Sequence, residues 1–221
     1  ETASIPTAER GNLTNIDFLS VYAAALVETI RSSVNAEDYE HPLKGFHIVV
    51  DTGNGAGGFF VDRVLQPLGA DTTGSQFLEP DGHFPNHAPN PEDETAMESV
   101  TKCVLENKAD MGVIFDTDVD RAGAVAADGK EINRNRLIAL IAAVLLEEHP
   151  GTTIVTDSIT SSGLAAFITE KGGVHHRFKR GYKNVIDEAI RINQSGRDCQ
   201  LAIETSGHGA LKENYFLDDG A

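Results

Sequence analysis

Several functional classes are argued against by what the sequence does not contain. No run of 18 apolar residues occurs, and the polar N-terminus carries no signal-peptide pattern, so neither a membrane partner nor secretion is expected. No basic stripe is visible. With 18 Lys+Arg against 34 Asp+Glu and a net charge of -16, a nucleic-acid partner is not expected either. An anionic substrate would have to be held by locally placed cations against that overall field. Cysteine is scarce: Cys103 and Cys199 lie far apart and match no metal-ligand spacing, which predicts reduced thiols in an intracellular protein. What remains, 221 residues of which 40% are hydrophobic, suits one large or two modest domains with a real core.

The chemistry concentrates in Asp116-Thr117-Asp118-Val119-Asp120-Arg121, at the end of the apolar run Met111-Gly112-Val113-Ile114-Phe115. Such a run predicts a strand buried on both faces. Three carboxylates at alternate positions repel unless something positive sits between them, and a hard divalent cation with oxygen ligands is the natural candidate. Asp116, Asp118 and Asp120 are therefore the expected metal ligands. Arg121 suits a phosphate oxygen, which it can grip with two parallel N–H bonds. A solvated acidic turn would carry the same residues. A calcium-binding EF-hand needs Gly and Glu where this chain has Arg121 and Ala127, which excludes it. A haloacid-dehalogenase-type phosphatase also places D-x-D after an apolar strand, but has Thr or Val where this chain has Asp120.

Along the chain, residues 1–13 read as an irregular lead-in. A helix is predicted over 15–31, with Thr14 as N-cap and Phe18, Tyr22, Leu26 and Ile30 on one face. A strand at 46–50, a helix at 59–68, a short strand near 71–77, a helix at 92–107, the strand at 110–115 and a hairpin over 122–132 follow. The order then repeats: helix 134–148 with a stripe of Leu137, Leu140, Ile141, Val144 and Leu145, strand 152–156, helix 161–171, strand 174–178, helix 182–193, strand 200–203, and a hairpin-like segment. Alternating strands and helices predict an α/β protein. We expect two tandem three-layer α/β/α domains with mostly parallel mixed sheets, over 14–132 and 133–221. Ligands in such sheets bind beyond the carboxyl ends of the strands. The repeat makes the acidic loop correspond to Glu204-Thr205-Ser206-Gly207-His208, so two facing halves would build one site.

That second loop pairs a carboxylate and hydroxyls with an imidazole, a set that can grip vicinal sugar hydroxyls, although an ordinary strand-end turn looks similar. The basic run Arg177-Phe178-Lys179-Arg180-Gly181-Tyr182-Lys183 could face a phosphate at the start of a helix, or be a solvated surface turn. Asp51-Thr52-Gly53-Asn54-Gly55-Ala56-Gly57-Gly58 matches neither nucleotide-binding glycine pattern and reads as a structural turn. His175 and His176 alternate on a strand and so point to opposite faces, while His83 and His87 are expected to shape their Pro-rich loop.

Together these stretches, with Pro80-Asp81-Gly82-His83-Phe84-Pro85-Asn86, resemble the α-D-phosphohexomutase superfamily of phosphoglucomutases, phosphomannomutases and phosphoglucosamine mutases. The resemblance runs over nearly the whole chain and implies the second domain and most of the third of a four-domain enzyme. It implies Mg²⁺ on Asp116, Asp118 and Asp120, and a hexose phosphate contacted by Glu204, Ser206, His208, Lys179 and Arg121. The family's reaction interconverts hexose 1- and 6-phosphates through an enzyme phosphoserine and a bisphosphate intermediate. The phosphoserine loop of the type T-A-S-H-N is not matched, because Ile5-Pro6 follows Thr2-Ala3-Ser4, so no catalytic residue is assigned. The chain is thus expected to be inactive alone and to work with flanking domains of the same protein, in the cytoplasm or plastid stroma. Two other readings stay open: a non-catalytic interaction module that kept the fold, and a Mg²⁺-dependent phosphatase using Asp116.

Overall fold

Neighbouring side chains of β1 (Ile48–Asp51) and β2 (Met111–Phe115) part to opposite faces of one sheet, and this sets the layering. Val50 and Phe115 join a core with Ala23 and Val27 of α1 (Phe18–Val34) and with a π-helical turn, Phe60–Leu65. Val49 and Ile114 join a second core beneath α2 (Glu94–Asn107). Strands β3 (Ala122–Ala126) and β4 (Glu131–Ile132) complete the order β1-β2-β3-β4, with β1 parallel to β2 and the rest antiparallel. Residues 11–221 are described by this computed structural model. Ser4 and most of the expected lead-in over 1–13 lie outside the described residues, and 11–13 are exposed without regular structure. Among the described residues no helix is long and apolar enough to cross a membrane.

The second half repeats this plan. It comprises α3 (Asn135–Glu148), β5 (Thr153–Thr156), α4 (Ser162–Glu170), β6 (Val174–Arg177), α5 (Tyr182–Gln194), β7 (Cys199–Ile203) and β8 (Gly209–Leu211). The sheet order is β6-β5-β7-β8, parallel except for the β7–β8 pair. Ile154, Leu201 and Ile203 face α3 and α4, while Val155 and Ala202 face α5. Both halves are α/β/α layers with mixed sheets, as the alternating pattern predicts.

Three local expectations are corrected. The first helix is capped by Asp17, whose carboxylate accepts from Ser20 N at 3.1 Å, rather than by Thr14, and Phe18 is 63% exposed. Residues 71–77 form no regular strand. Their backbone pairs with the sheet at the isolated parallel bridges His47–Asp71 and Asp51–Gln76, with Ser75 Oγ accepting from Val50 N between them, although they occupy the edge that β6 fills in the other half. In α3 the buried face is Ile138, Ala142, Leu145 and Leu146, while Leu140 and Val144 stay about half exposed. That helix is apolar nearly all round, so its periodicity could not select a face.

Phe115 packs edge-on against Phe60 at 5.1 Å, is 1% exposed and directly precedes Asp116. Truncating it to Ala should cost about 3–5 kcal/mol of stability by urea unfolding. A cost below about 1 kcal/mol, the size of a conservative core swap, would show that the ring is not the support of the strand end.

Candidate metal and sugar site between the two halves

Residues 116–121 close on themselves. Asp116 N donates to Arg121 O at 3.2 Å, and Arg121 N donates back to Asp116 Oδ1 at 3.2 Å. This closure curls the loop so that one oxygen from each of Asp116, Asp118 and Asp120 lies within 4.8 Å of the others. Asp116 is buried, Asp120 half-buried and Asp118 exposed. Burial, then the neighbouring Asp116 carboxyl, push the Asp120 carboxyl up to about 6. Its Oδ1 is buried without a hydrogen-bond partner. An orphaned buried oxygen beside two further carboxylates fits a hard cation with oxygen ligands, so these residues suit Mg²⁺.

The loop is backed from below by the glycine turn. Ala56 N donates to Thr117 O at 2.8 Å, and a Cβ on Gly55 would lie 2.7 Å from that same oxygen. The turn is held by buried Asp51, which accepts from Gly53 N, His87, Gln76 and Ser99, so its work is structural, as is that of His87. Val119 sits at φ +69°, a strained conformation for a β-branched residue. Its buried side chain in the core and its carbonyl, which accepts from Gly220 N at 2.9 Å, hold it there.

Arg121 is folded onto its own loop rather than extended. Its Nε donates to Asp116 Oδ2 at 2.9 Å and Nη1 to Asn90 Oδ1 at 3.0 Å, leaving Nη2 without a protein partner among the described residues. These two contacts use two of the five guanidinium N–H bonds of Arg121, which leaves donors on both terminal nitrogens for an anionic ligand. Its backbone forms an antiparallel bridge with His208, and this joins the two halves.

In the second loop, buried Glu204 accepts from Gly181 N at 2.5 Å, and burial first raises its carboxyl above the ordinary range. Ser206 Oγ lies 3.5 Å from Glu204 Oε2. Thr205 is anchored on fully buried Asp157, by its N–H at 3.2 Å and hydroxyl at 2.8 Å. His208 stacks on Tyr182, ring centroids 4.8 Å apart, and its Nδ1 faces Asp218 Oδ2 at 2.8 Å. Lys179 is exposed, with its ammonium over the Phe178 ring at 5.6 Å, and the contact of its turn with this loop is made by Gly181, two residues on. His175 and His176 do part, to Thr156 and Glu188.

A cavity of about 460 Å³ opens beside the carboxylates, lined by Phe18, Tyr22, Phe59, Asp118, Asp120 and Asp218 among others. Its lining takes in none of Glu204, Ser206 and Lys179. Asn90, Asp157, Asp218 and Asp219 were not singled out from the sequence. Three of them have partners far away in the chain, as in Tyr22 OH to Asp219 Oδ1 at 2.6 Å, and Asp218 meets His208 across the turn that follows β8. A methyl added at Gly55 would meet backbone, which cannot yield cheaply, so Gly55→Ala should lose about 1–3 kcal/mol and move the amide resonances of 116–121. Unmoved resonances would mean the turn does not brace the loop.

The family model for the phosphoglucomutase/phosphomannomutase alpha/beta/alpha domain II matches residues 21–129, and that for domain III matches 133–221. A phosphomannomutase/phosphoglucomutase of Pseudomonas syringae pv. tomato is 33% identical over 215 residues, which is 97% of this chain and 43% of that protein. The chain therefore spans less than half the length of this relative. The crystal structure of a Burkholderia thailandensis phosphoglucomutase/phosphomannomutase family protein matches with TM-score 0.75 and 33% identity, covering 90% of this chain and 41% of that one. An N-acetylphosphoglucosamine mutase of Aspergillus fumigatus, solved in complex with GlcNAc-6P and magnesium, shares the fold at TM-score 0.59 and 18% identity, covering 87% of this chain and 40% of that one. The chain belongs to the phosphoglucomutase/phosphomannomutase family within the phosphohexomutase superfamily, and comprises its domains II and III.

Proposed function

We propose that these residues form the metal- and sugar-gripping centre of an enzyme that interconverts hexose 1-phosphate and hexose 6-phosphate. The observation that carries this reading is the convergence of Asp116, Asp118 and Asp120 at one strand end, joined through the Arg121–His208 bridge to the Glu204–Ser206 loop of the other half. Asp116, Asp118 and Asp120 hold Mg²⁺. When bound there, the ion neutralises charge developing on a transferred phosphoryl group. Glu204 accepts from hexose hydroxyls, Ser206 donates or accepts, and His208 contributes a ring nitrogen. Arg121 offers Nη2 to a phosphate oxygen, and Lys179 supplies a mobile positive charge near the loop's edge. The phosphoserine belongs to a part of the parent outside the 221 residues, with residues 14–132 and 133–221 acting as the two halves of the cleft. The magnesium and hexosamine phosphate held by the Aspergillus mutase of the same fold support the choice of ion and ligand class.

Asp118 is exposed and bears no fold contact in the cores, so Asp118→Asn tests the metal role without unfolding the chain. Mg²⁺ titration followed by amide shifts of 116–121 should give binding weakened roughly 10- to 100-fold in that variant. Equal affinity would remove the metal assignment. The 221-residue chain should convert no glucose 1-phosphate to glucose 6-phosphate in a coupled assay. Turnover at about 1 per second or more, an ordinary enzyme rate, would show that the reaction needs nothing beyond it.

A further inference from the structure

One imidazole N–H lies between two carboxylates that belong to different halves of the molecule. His208 Nδ1 is 2.8 Å from Asp218 Oδ2 and 3.6 Å from Asp120 Oδ2, so the first contact is a hydrogen bond and the second is not. One ligand atom from each of these three residues lies within 4.8 Å of the others, and Asp120 is also one of the three loop carboxylates. Asp218 is set by backbone on both sides. It bridges to Ala210 of β8, and two residues on Gly220 N donates to Val119 O in the acidic loop. The stack on Tyr182 fixes the plane of the His208 ring, so its N–H can swing between the two carboxylates without losing the stacking partner.

We propose that Asp218 is a positioning residue that holds His208 off Asp120, keeping Asp120 free to serve as a cation ligand. The inference rests on the metal site proposed above. Without Asp218 the other carboxylate within ion-pair distance of His208 Nδ1 is that of Asp120, and a shift of under about 1 Å would bring its Oδ2 to hydrogen-bond length. That bond would engage the oxygen and turn the carboxylate toward the ring, in competition with the cation. Asp120 Oδ1 is buried without a hydrogen bond, and its ion pair with Arg121 Nε at 3.7 Å is too long to fix the carboxylate against the turn.

Mg²⁺ titrations of the whole chain, read from the amide shifts of 116–121, test this with four variants. Asp218→Asn keeps an acceptor for the His208 N–H and should bind within roughly fivefold of wild type, the size of a screened charge change. Asp218→Ala should bind roughly 10- to 100-fold more weakly. Asp218→Ala combined with His208→Ala should return to the level of Asp218→Asn, which loss of a merely structural residue would not allow. His208→Ala alone removes the competitor and should bind no more weakly than wild type, a result independent of how well Asp218→Ala folds. An Asn variant as weak as Ala, a double variant that stays weak, or weakened binding in His208→Ala overturns the proposal. Wild type that shows no Mg²⁺-dependent shifts overturns the metal site and this inference together. Wild-type binding with an unchanged Asp218→Ala sinks the inference alone.

Discussion

Three carboxylates held within one ligand sphere repel each other, and the acidic loop is built around holding them there. Arg121 supplies the countercharge, through Nε to Asp116, and the closure, through its own N–H and carbonyl. Asn90 fixes the far side of the guanidinium, and the glycine turn supports the loop from beneath. None of these contacts removes the repulsion at Asp120, whose carboxyl is raised chiefly by burial and next by Asp116. The residual frustration marks the place where a cation would stabilise the fold.

The same loop is also where the halves meet. Arg121 bridges His208, Val119 accepts from Gly220, and Tyr22 reaches Asp219 across nearly the whole chain. Gly207 and Gly220 pack against the backbone of 121–122, where a Cβ would come within 3.0 Å of a backbone atom. Close backbone approach leaves the two strand ends little freedom to separate. A junction made this way is pre-organised, which would limit the ordering cost of binding a ligand beside it.

The strain at Val119 belongs to this arrangement. A β-branched residue in the left-handed region costs on the order of 1–3 kcal/mol, and it persists only where surrounding structure over-determines it. Its side chain sits in the core with Phe60 and Phe115, while its carbonyl is claimed by the opposite half. Strain, acidic loop and interdomain contact therefore coincide at one residue.

Much was legible in the residues alone, because strands and amphipathic helices announce themselves through local spacing. The doubled order of elements, the acidic strand end and the Glu204-to-His208 loop are all contiguous in sequence, and so is the turn at 51–58. The edge segment 71–77 is polar apart from Phe77 and carries no apolar alternation, and its backbone meets the sheet at two isolated bridges rather than along its length. The apolar stripe of α3 takes in Leu140 and Val144, which stay about half exposed, since a helix apolar on most sides does not state which side is covered. By itself the sequence determined which chemical groups stand at each strand end and in what order. Only the tertiary structure decided which of them touch: Asp218 on His208, Asn90 on Arg121, Asp157 on Thr205 and Asp219 on Tyr22. Those pairings depend on how two sheets and their connecting segments pack, a long-range outcome that no local spacing encodes.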